Sequence, residues 1–263
     1  MGTTSRDELM DACKSANAMI EYLGQKALHH NCYKIYTCEE KLNSWKAEDG
    51  LFLSDGANWN DIEDGKRFNP AGAKTKRFGT CFSFSQSENV AMWMLYGGMI
   101  HTGVMVDFRR GDINSVLEAE EIHLGYWENK KYVVVKTLKK HQFDLEISDV
   151  LYCSDPINVV KRSDSRCDMR DGKLIKNIGW RRKAYPWNYE NECRLIVSVD
   201  NSLVPGNCNQ VKISLNNVYD RLEQETRIYC SPNNADKKHQ PSQLMSSINW
   251  DLCWGCLSKQ TLA

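Results

Sequence analysis

The sequence lacks the features by which membrane proteins and nucleic-acid-coating proteins are usually recognised. Its 34 basic residues balance its 34 acidic residues, so the formal net charge is zero. This balance argues against a general affinity for nucleic acid or for an anionic surface. No apolar run approaches the roughly 20 residues that a membrane-spanning helix requires. The first residues contain no basic stretch followed by an apolar one, so we expect no signal peptide and a cytoplasmic protein.

The short glycine motifs of common enzyme folds are also missing. Nothing in the chain matches GxxxxGK[ST], GxGxxG or GxSxG. The 11 cysteines are scattered and odd in number, and we expect them to be reduced thiols. The one CxxC, Cys253 to Cys256, has no second pair and no histidine pair at zinc-finger spacing, so we expect neither a metal site nor a redox site.

What the sequence does contain is an ordinary globular composition, with 41% hydrophobic residues and 10% aromatic residues. Its strand and helix patterns interleave without a regular βαβ period. We therefore predict a single α+β domain over 1–263, with a mainly antiparallel sheet flanked by helices. The predicted helices cover about 4–27, 39–46, 89–98, 168–183 and 236–248. The predicted strands cover 33–37, 51–54, 79–85, 103–108, 210–215, 226–230 and 251–257, with a strand-rich insertion over 116–152.

One strand carries an unusual set of charges, in the stretch YPWNYENECRLIVSV at 185–199. Glu190, Glu192 and Arg194 are spaced two residues apart, which places them on one face of a strand. The opposite face is apolar and must point to the core, through Cys193, Leu195, Val197 and Val199. The plain interpretation is an exposed strand end with one ion pair. The functional interpretation is a cleft in which Arg194 holds one carboxylate while the other does chemistry.

Two further features suggest ligand binding. A basic segment from Lys173 to Lys183 adjoins four aromatic residues, and such a set can neutralise phosphates and stack on bases. A solvated helix face with its aromatic side chains turned inward explains the same pattern. His101 lies between a Gly-Gly helix stop and a buried strand, where a histidine is more often structural than catalytic. The four aromatic residues are Trp180, Tyr185, Trp187 and Tyr189.

Several stretches, taken in order, resemble a bacterial and phage family known as domain of unknown function 2971. They are YKIYTCEEKLNSW, FLSDGANWNDIEDG, CFSFS, MWMLYGGMIHTGVMVDF and WNYENECRLIV. The resemblance as a whole spans roughly residues 33–260. Each motif is short, and their order and spacing carry the resemblance. The family is in turn distantly similar to ADP-ribosyltransferases, including the toxin group that modifies nucleic acid.

This resemblance implies an ADP-ribosyltransferase-like fold that binds NAD as a substrate. It implies Glu192 as the glutamate that steadies the nicotinamide ribose or activates the acceptor, and Glu190 as the upstream acid of an ExE pair. Where such a first strand offers His or Arg, this chain has Lys34, Ile35, Tyr36 and Thr37, which leaves the ribose contact open. The implied NAD-contacting residues are Tyr36, Thr37, Ser54, Asn60, Trp93, Tyr96 and His101.

Three hypotheses for function follow. The first is an enzyme that cleaves NAD and transfers ADP-ribose to water or to a protein or nucleic acid, as a toxin or phage-defence effector would. The second is a recognition module that binds a nucleotide or nucleic acid in the same cleft without catalysis. The third is a phosphodiester hydrolase in which Asp61, Glu190 and Glu192 hold a divalent metal.

Overall fold

Alternating apolar residues give the chain its strands, and most of these strands join one large sheet. The computed structural model describes residues 15–96, 102–153, 179–232 and 239–242 of the chain. Its helices are α1 (Ala16–Leu28), α2 (Glu39–Ala47), α3 (Ile62–Phe68), α4 (Val90–Tyr96), α5 (Arg110–Leu117) and α6 (Val218–Gln224). Short 3-10 turns cover Lys140–Gln142, Gly179–Arg181, Tyr185–Glu190 and Asn201–Leu203.

The strands are β1 (Tyr33–Cys38), β2 (Gly50–Ser54), β3 (Thr75–Ser83), β4 (Gly103–Phe108), β5 (Glu121–Glu128), β6 (Lys131–Lys139), β7 (Phe143–Asp149), β8 (Leu151–Cys153), β9 (Arg182–Ala184), β10 (Glu192–Asp200), β11 (Gln210–Ser214), β12 (Ile228–Cys230) and β13 (Gln240–Pro241). The main sheet runs β13-β12-β4-β1-β3-β2-β11-β5-β6, with β10 paired to β3 and β7 paired to β10. Its pairings are antiparallel except that of β12 with β13, and β8 and β9 form a separate parallel pair. The predicted α+β class with a mainly antiparallel sheet is confirmed.

The sheet branches at β3, and this branch positions the candidate site. One edge of β3 pairs with β10 along nine residues, from Thr75 to Ser83. The other edge meets β2 at Gly79, opposite Ser54, and β1 at Ser83, opposite Lys34. Between these two points, in the described part of the chain, residues 80–82 have no strand partner on that edge. The strands β1 and β2 therefore diverge and leave a gap in the sheet.

The apolar face of β10 lies in the main core, as the alternation predicts. Cys193, Leu195, Val197 and Val199 are buried there with Phe78 and Phe82 of β3 and Val104, Val106 and Phe108 of β4. The charged face of β10 is also covered, because Ile196 packs with Phe68 and Trp180 in a second apolar cluster. Both faces of β10 are thus buried, and the charges at its start must be satisfied inside the protein.

Several predicted elements need correction. The helix predicted for 168–183 is wrong at its end, because Gly179–Arg181 is a 3-10 turn and Arg182–Ala184 is β9. The helix predicted for 236–248 is wrong at Gln240–Pro241, which form β13. The strands of 116–152 are integral to the sheet rather than an insertion, since β5 pairs with β11 and β7 with β10. The polar stretch after Ser54 contains α3, and sequence analysis also missed α5 and α6.

The start of the predicted N-terminal helix and the whole CxxC stretch lie outside the described residues. Of the helix predicted for about 4–27, the structure describes Ala16–Leu28, capped by the Ser15 side chain, which accepts a hydrogen bond from the amide of Ala18. The strand predicted at 251–257 and its cysteines, Cys253 and Cys256, are not among the described residues, and neither is His101.

Candidate functional site

A cavity of about 460 Å³ occupies the gap between β1 and β2. Its volume falls in the range of small-molecule sites. Residues 34–37 of β1, residues 79–82 of β3 and the end of α4 form its walls, and the loop before α3 contributes Trp59 and Asn60. Lys183, Glu190 and Glu192 also line it. A concave site therefore lies where the sheet is split and where charged side chains converge.

The three charged residues singled out from the sequence lie in two different elements. Glu192 and Arg194 lie in β10 opposite Ser83 and Cys81 of β3, so they share a strand face as predicted. Glu190 is the last residue of a 3-10 turn and not part of the strand. Asn191 follows it with φ 45°, in the left-handed region, and this reversal brings the Glu190 side chain back beside Glu192.

Arg194 is completely buried and is held by two carboxylates. Its Nε donates to Oε1 of Glu192 at 2.5 Å, and its Nη1 donates to Oδ1 of Asp64 at 3.1 Å and to the carbonyl of Trp180 at 2.7 Å. Its Nη2 donates to the other oxygen of Asp64, which completes a bidentate pair. The guanidinium carbon lies 5.0 Å from the ring centre of Trp59. A buried arginine needs such partners, and the sequence indicated Glu192 or an acid from the loop of Asn60 and Asp61, to whose stretch Asp64 belongs.

Asp64 is presented to Arg194 by the first turn of α3. The Asp61 side chain caps this helix by accepting hydrogen bonds from the amides of Glu63 and Asp64 at 3.1 and 3.2 Å. Capping fixes the start of the helix and turns Asp64 inward, where it is buried. Asp61 therefore has a local structural role, and the acid that joins the charged cluster is three residues further on.

Lys183 joins the two glutamates. Its ammonium group donates to Oε2 of Glu190 at 2.5 Å and to Oε2 of Glu192 at 3.2 Å. The hydroxyl of Tyr96 donates to the other oxygen of Glu190 at 2.6 Å. Lys183 also lies 4.8 Å from the ring centre of Trp187. The result is a continuous alternation of charge, here called the charge chain, that consists of Asp64, Arg194, Glu192, Lys183 and Glu190.

The charge chain contains three acids and two bases, so it is electroneutral when one acid is protonated. Burial, followed by the charge of Glu192, raises the pKa of Glu190 from 4.5 to about 7. Burial opposes the ionisation of Glu192 as well, but Arg194 and Lys183 outweigh it and hold the pKa of Glu192 well below its usual range. Glu190 is therefore the acid that exchanges a proton near neutral pH, while Glu192 stays ionised.

Two neighbours of the glutamates are each held in one protonation state. Burial lowers the pKa of Lys183, yet Glu192 and Glu190 outweigh it and raise the value above the ordinary one, so the ammonium group remains charged. Burial and the charge of Glu192 raise the pKa of the Cys81 thiol well above its usual value. A protonated thiol is a poor nucleophile, so the chemistry of this cavity belongs to its carboxylates.

Aromatic side chains also line the cavity. Tyr36 and Tyr96, two of the residues that the resemblance implies, are among them. Trp93 is not among the lining residues. It packs edge-on against Tyr36, with ring centres 5.0 Å apart, and its indole nitrogen donates to Glu88 at 2.9 Å. Trp93 therefore supports Tyr36 rather than contacting a ligand itself.

Three polar residues that the resemblance implies also line the cavity. Thr37, Ser54 and Asn60 are among the lining residues. The hydroxyl of Ser54 accepts a hydrogen bond from the indole of Trp59 at 3.0 Å, which orients that ring beneath Arg194. Sequence analysis identified the Asn-Asp loop but did not name Trp59 within it as a site residue. The local sequence does not show that this loop folds over β3.

The metal hypothesis does not fit the charge chain. The ammonium group of Lys183 lies between Glu190 and Glu192, where a divalent cation would have to bind. Elsewhere in the described residues, His30, Asp149 and Cys193 bring ligand atoms within 4.8 Å of one another. His30 Nε2 lies 2.6 Å from Asp149, and its ring stacks on Phe84 at 3.8 Å, so we interpret this group as a buried hydrogen-bonded pair beside a core thiol.

Comparison with known proteins supports the family resemblance over part of the chain. Residues 92–195 match the family described as "Protein of unknown function (DUF2971)". The match runs from α4 into β10 and is narrower than the span of roughly 33–260 expected from the resemblance. It includes Tyr96, Lys183, Glu190, Glu192 and Arg194. No curated protein and no solved structure matches the chain significantly.

No helix in the described part of the chain is both long enough and apolar enough to cross a membrane.

Proposed function

We propose that this protein cleaves the bond between nicotinamide and ribose in NAD and transfers ADP-ribose to water or to a macromolecule. The observation that carries the proposal is the pairing of Glu190 and Glu192 through Lys183 at the wall of an aromatic-lined cavity in the split sheet. One acid is held ionised and the other is poised near neutral pH. Pairs of carboxyl groups with opposite pKa shifts divide electrostatic and proton-transfer roles between them.

The chemistry of glycosidic cleavage suits these two roles. When the bond from ribose C1′ to the nicotinamide nitrogen breaks, its electron pair stays on that nitrogen and positive charge develops on the ribose. The ionised carboxylate of Glu192 stabilises this charge. An acceptor oxygen then bonds to C1′ and loses its proton, and ionised Glu190 takes that proton. Tyr36 and Tyr96 offer flat surfaces for the nicotinamide ring.

The resemblance adds support from the placement of the strands. It implies that elements on separate strands surround NAD, and here β1, β2, β3 and β10 all contribute to one cavity. Lys34 lines this cavity in the first strand, where the resemblance implies His or Arg. We propose that the activity serves a cytoplasmic toxin or phage-defence effector, a context that rests on the resemblance alone.

The direct test is release of nicotinamide from NAD by the purified chain. We expect turnover by the wild type and a loss of about 100- to 1,000-fold in Glu192→Gln, because one preorganised electrostatic contact is removed. Glu190→Gln removes the proton acceptor, so its rate of nicotinamide release should fall about 100-fold or more. Glu120→Gln, an exposed position outside the cavity, is the matched control and should keep wild-type activity. A wild-type protein that never binds NAD would remove the proposal.

One observation favours a second candidate, a recognition module that binds a nucleotide without chemistry. Glu190 and Glu192 are only 3% and 2% exposed, and each oxygen of Glu192 already accepts a hydrogen bond from Arg194 or Lys183. In a binding module these bonds would only support the cavity wall. Calorimetry would then show NAD binding by both wild type and Glu192→Gln, with no nicotinamide released by either protein.

A further inference from the structure

A second cavity, of about 530 Å³, lies on the same face of the sheet as the charge chain. Cross-strand registers show the shared face, because Asp107 lies opposite Lys34, Lys34 opposite Ser83, and Ser83 opposite Glu192. Directly opposed residues in antiparallel strands point to the same side. A row of four buried polar residues therefore crosses the sheet, and Lys34 lines both cavities.

Asp107 forms the polar floor of this second cavity. It is 5% exposed, and within the described residues its Oδ1 is buried without a hydrogen-bond partner. Its Oδ2 lies 3.6 Å from Nη2 of Arg109 at the mouth. A buried oxygen that lacks a hydrogen bond destabilises the folded protein. An oxygen that lines a cavity and accepts no hydrogen bond from the protein is available to accept one from a ligand.

Lys34 contributes hydrogen-bond donors to the same cavity. It is the cross-strand neighbour of Asp107, and its ammonium group donates to the carbonyl of Gln86 at 2.9 Å. An ammonium group carries three N–H donors, and this bond occupies one of them. The cavity thus presents an acceptor and a donor from neighbouring strands, and its ligand must present a donor near an acceptor.

We propose that the second cavity binds the adenine base of a nucleotide. Adenine carries an amino donor beside a ring-nitrogen acceptor, which matches Asp107 Oδ1 and Lys34 Nζ. The Watson–Crick edge of guanine sets two donors side by side and needs both carboxylate oxygens, but Oδ2 faces Arg109. Tyr229 and Met105 supply the surfaces that contact a flat base. The half-exposed Arg109 side chain is positioned to meet a phosphate.

The adenine can come from two sources. It can be the far half of the NAD whose nicotinamide end occupies the first cavity, since Lys34 is common to both, or it can belong to a separate adenine nucleotide. The inference does not depend on NAD cleavage, because it concerns only the recognition of the base.

Isothermal titration of the full chain with AMP and GMP tests the proposal. We expect AMP to bind and GMP to bind at least 10-fold more weakly. Asp107→Leu keeps the approximate size of the side chain and removes the acceptor, so AMP affinity should fall at least 10-fold. Arg110→Met, next to the mouth but outside the lining, should bind AMP as the wild type does.

Thermal melting of the same variants separates ligand binding from a structural role. Asp107→Leu removes a buried oxygen that has no hydrogen-bond partner and only a long contact to the half-exposed Arg109, so its melting temperature should equal or exceed that of the wild type. An Asp107→Leu variant that binds AMP at wild-type affinity would overturn the proposal. So would a wild type that binds no AMP at millimolar concentration, whether or not it cleaves NAD.

Competition identifies the source of the adenine. If AMP displaces NAD, the site holds the adenosine half of NAD. If AMP and NAD bind together, the site holds a separate nucleotide. Both results support an adenine site, and a protein that cleaves NAD but ignores AMP would leave the proposed function standing while removing this inference.

Discussion

The hydroxyl of Tyr96 donates a hydrogen bond to Glu190 at 2.6 Å and thereby connects α4 to the turn that precedes β10. A hydrogen bond to a carboxylate favours its ionised form, so Tyr96 opposes the rise in pKa that burial and Glu192 impose on Glu190. Lys183 acts in the same direction through the other oxygen. The balance of these effects is what sets the pKa of Glu190 near 7.

Removing the Tyr96 hydroxyl should raise the pKa of Glu190. Tyr96→Phe keeps the ring and deletes one hydrogen bond to a charged group, which is worth about 1.5–3 kcal/mol. The pKa of Glu190 should rise by at least about one pH unit. If ionised Glu190 accepts the proton, the acid limb of the kcat/KM profile for nicotinamide release should shift upward by the same amount. An unshifted limb would mean that another group accepts the proton.

Glu190 should also affect stability in a pH-dependent way that needs no enzyme assay. Its pKa is about 7 when folded and 4.5 in the unfolded reference, so between these values the folded state binds more protons. Its stabilising contribution is complete below about pH 4.5 and is lost as the pH rises through 7. The melting temperature of the wild type relative to Glu190→Gln should therefore fall between pH 5 and pH 8. A constant difference across this range would contradict the assigned pKa.

Sequence analysis predicted the charged strand face but not the site around it. The two-residue period of β10 placed Glu192 and Arg194 together and put Cys193 and Leu195 in the core, because a strand pattern is local. Glu190 has the same two-residue spacing in the sequence. In the structure, however, it joins the cluster through a turn in which the backbone of Asn191 is in the left-handed region. The prediction that it joins the other two was correct, although the strand geometry behind it was not.

The partners that complete the charge chain are distant in sequence. Asp64 is 130 residues from Arg194, and Tyr96 is 94 residues from Glu190. Their positions depend on how β2 and β1 diverge from β3, and no period or motif in one segment shows that divergence. Asp61, named as a metal ligand only in the third hypothesis for function, caps α3. Residue types in this site were thus recognisable from the sequence, whereas their pairing required the fold.

Breaking the charge chain at Arg194 should cost more stability than breaking a peripheral ion pair. Arg194→Met leaves the buried carboxylates of Glu192 and Asp64 without their shared cation, and such a loss costs about 3–5 kcal/mol. Arg181 also pairs with one carboxylate, Glu146, at 2.6 Å, but the Glu146 side chain is 37% exposed and water can replace its partner. Arg181→Met should therefore lower the free energy of unfolding by less than Arg194→Met does. Urea unfolding of both variants measures the difference, and equal losses would contradict the energetic role assigned to Arg194.

The branch of the sheet depends on a close approach at Gly79. A Cβ atom at this position would lie 2.8 Å from Cζ of Phe68, a buried ring that packs against Trp59 with ring centres 4.6 Å apart. Phe68 cannot retreat without moving Trp59, which lies against Arg194. We therefore expect Gly79→Ala to destabilise the protein by about 1–3 kcal/mol.

The same substitution at Gly111 is the matched control, and its effect should have the opposite sign. Gly111 lies in α5, and among the described residues nothing comes within 4 Å of a Cβ built there. Alanine in a helix is more stable than glycine by roughly 0.5–1 kcal/mol, because glycine loses more backbone freedom on folding. Thermal melting of the two variants should therefore show Gly79→Ala below the wild type and Gly111→Ala at or above it. A Gly79→Ala protein that melts with the wild type would mean that Phe68 and Trp59 shift freely, and that the wall of the candidate site is not fixed by the branch at β3.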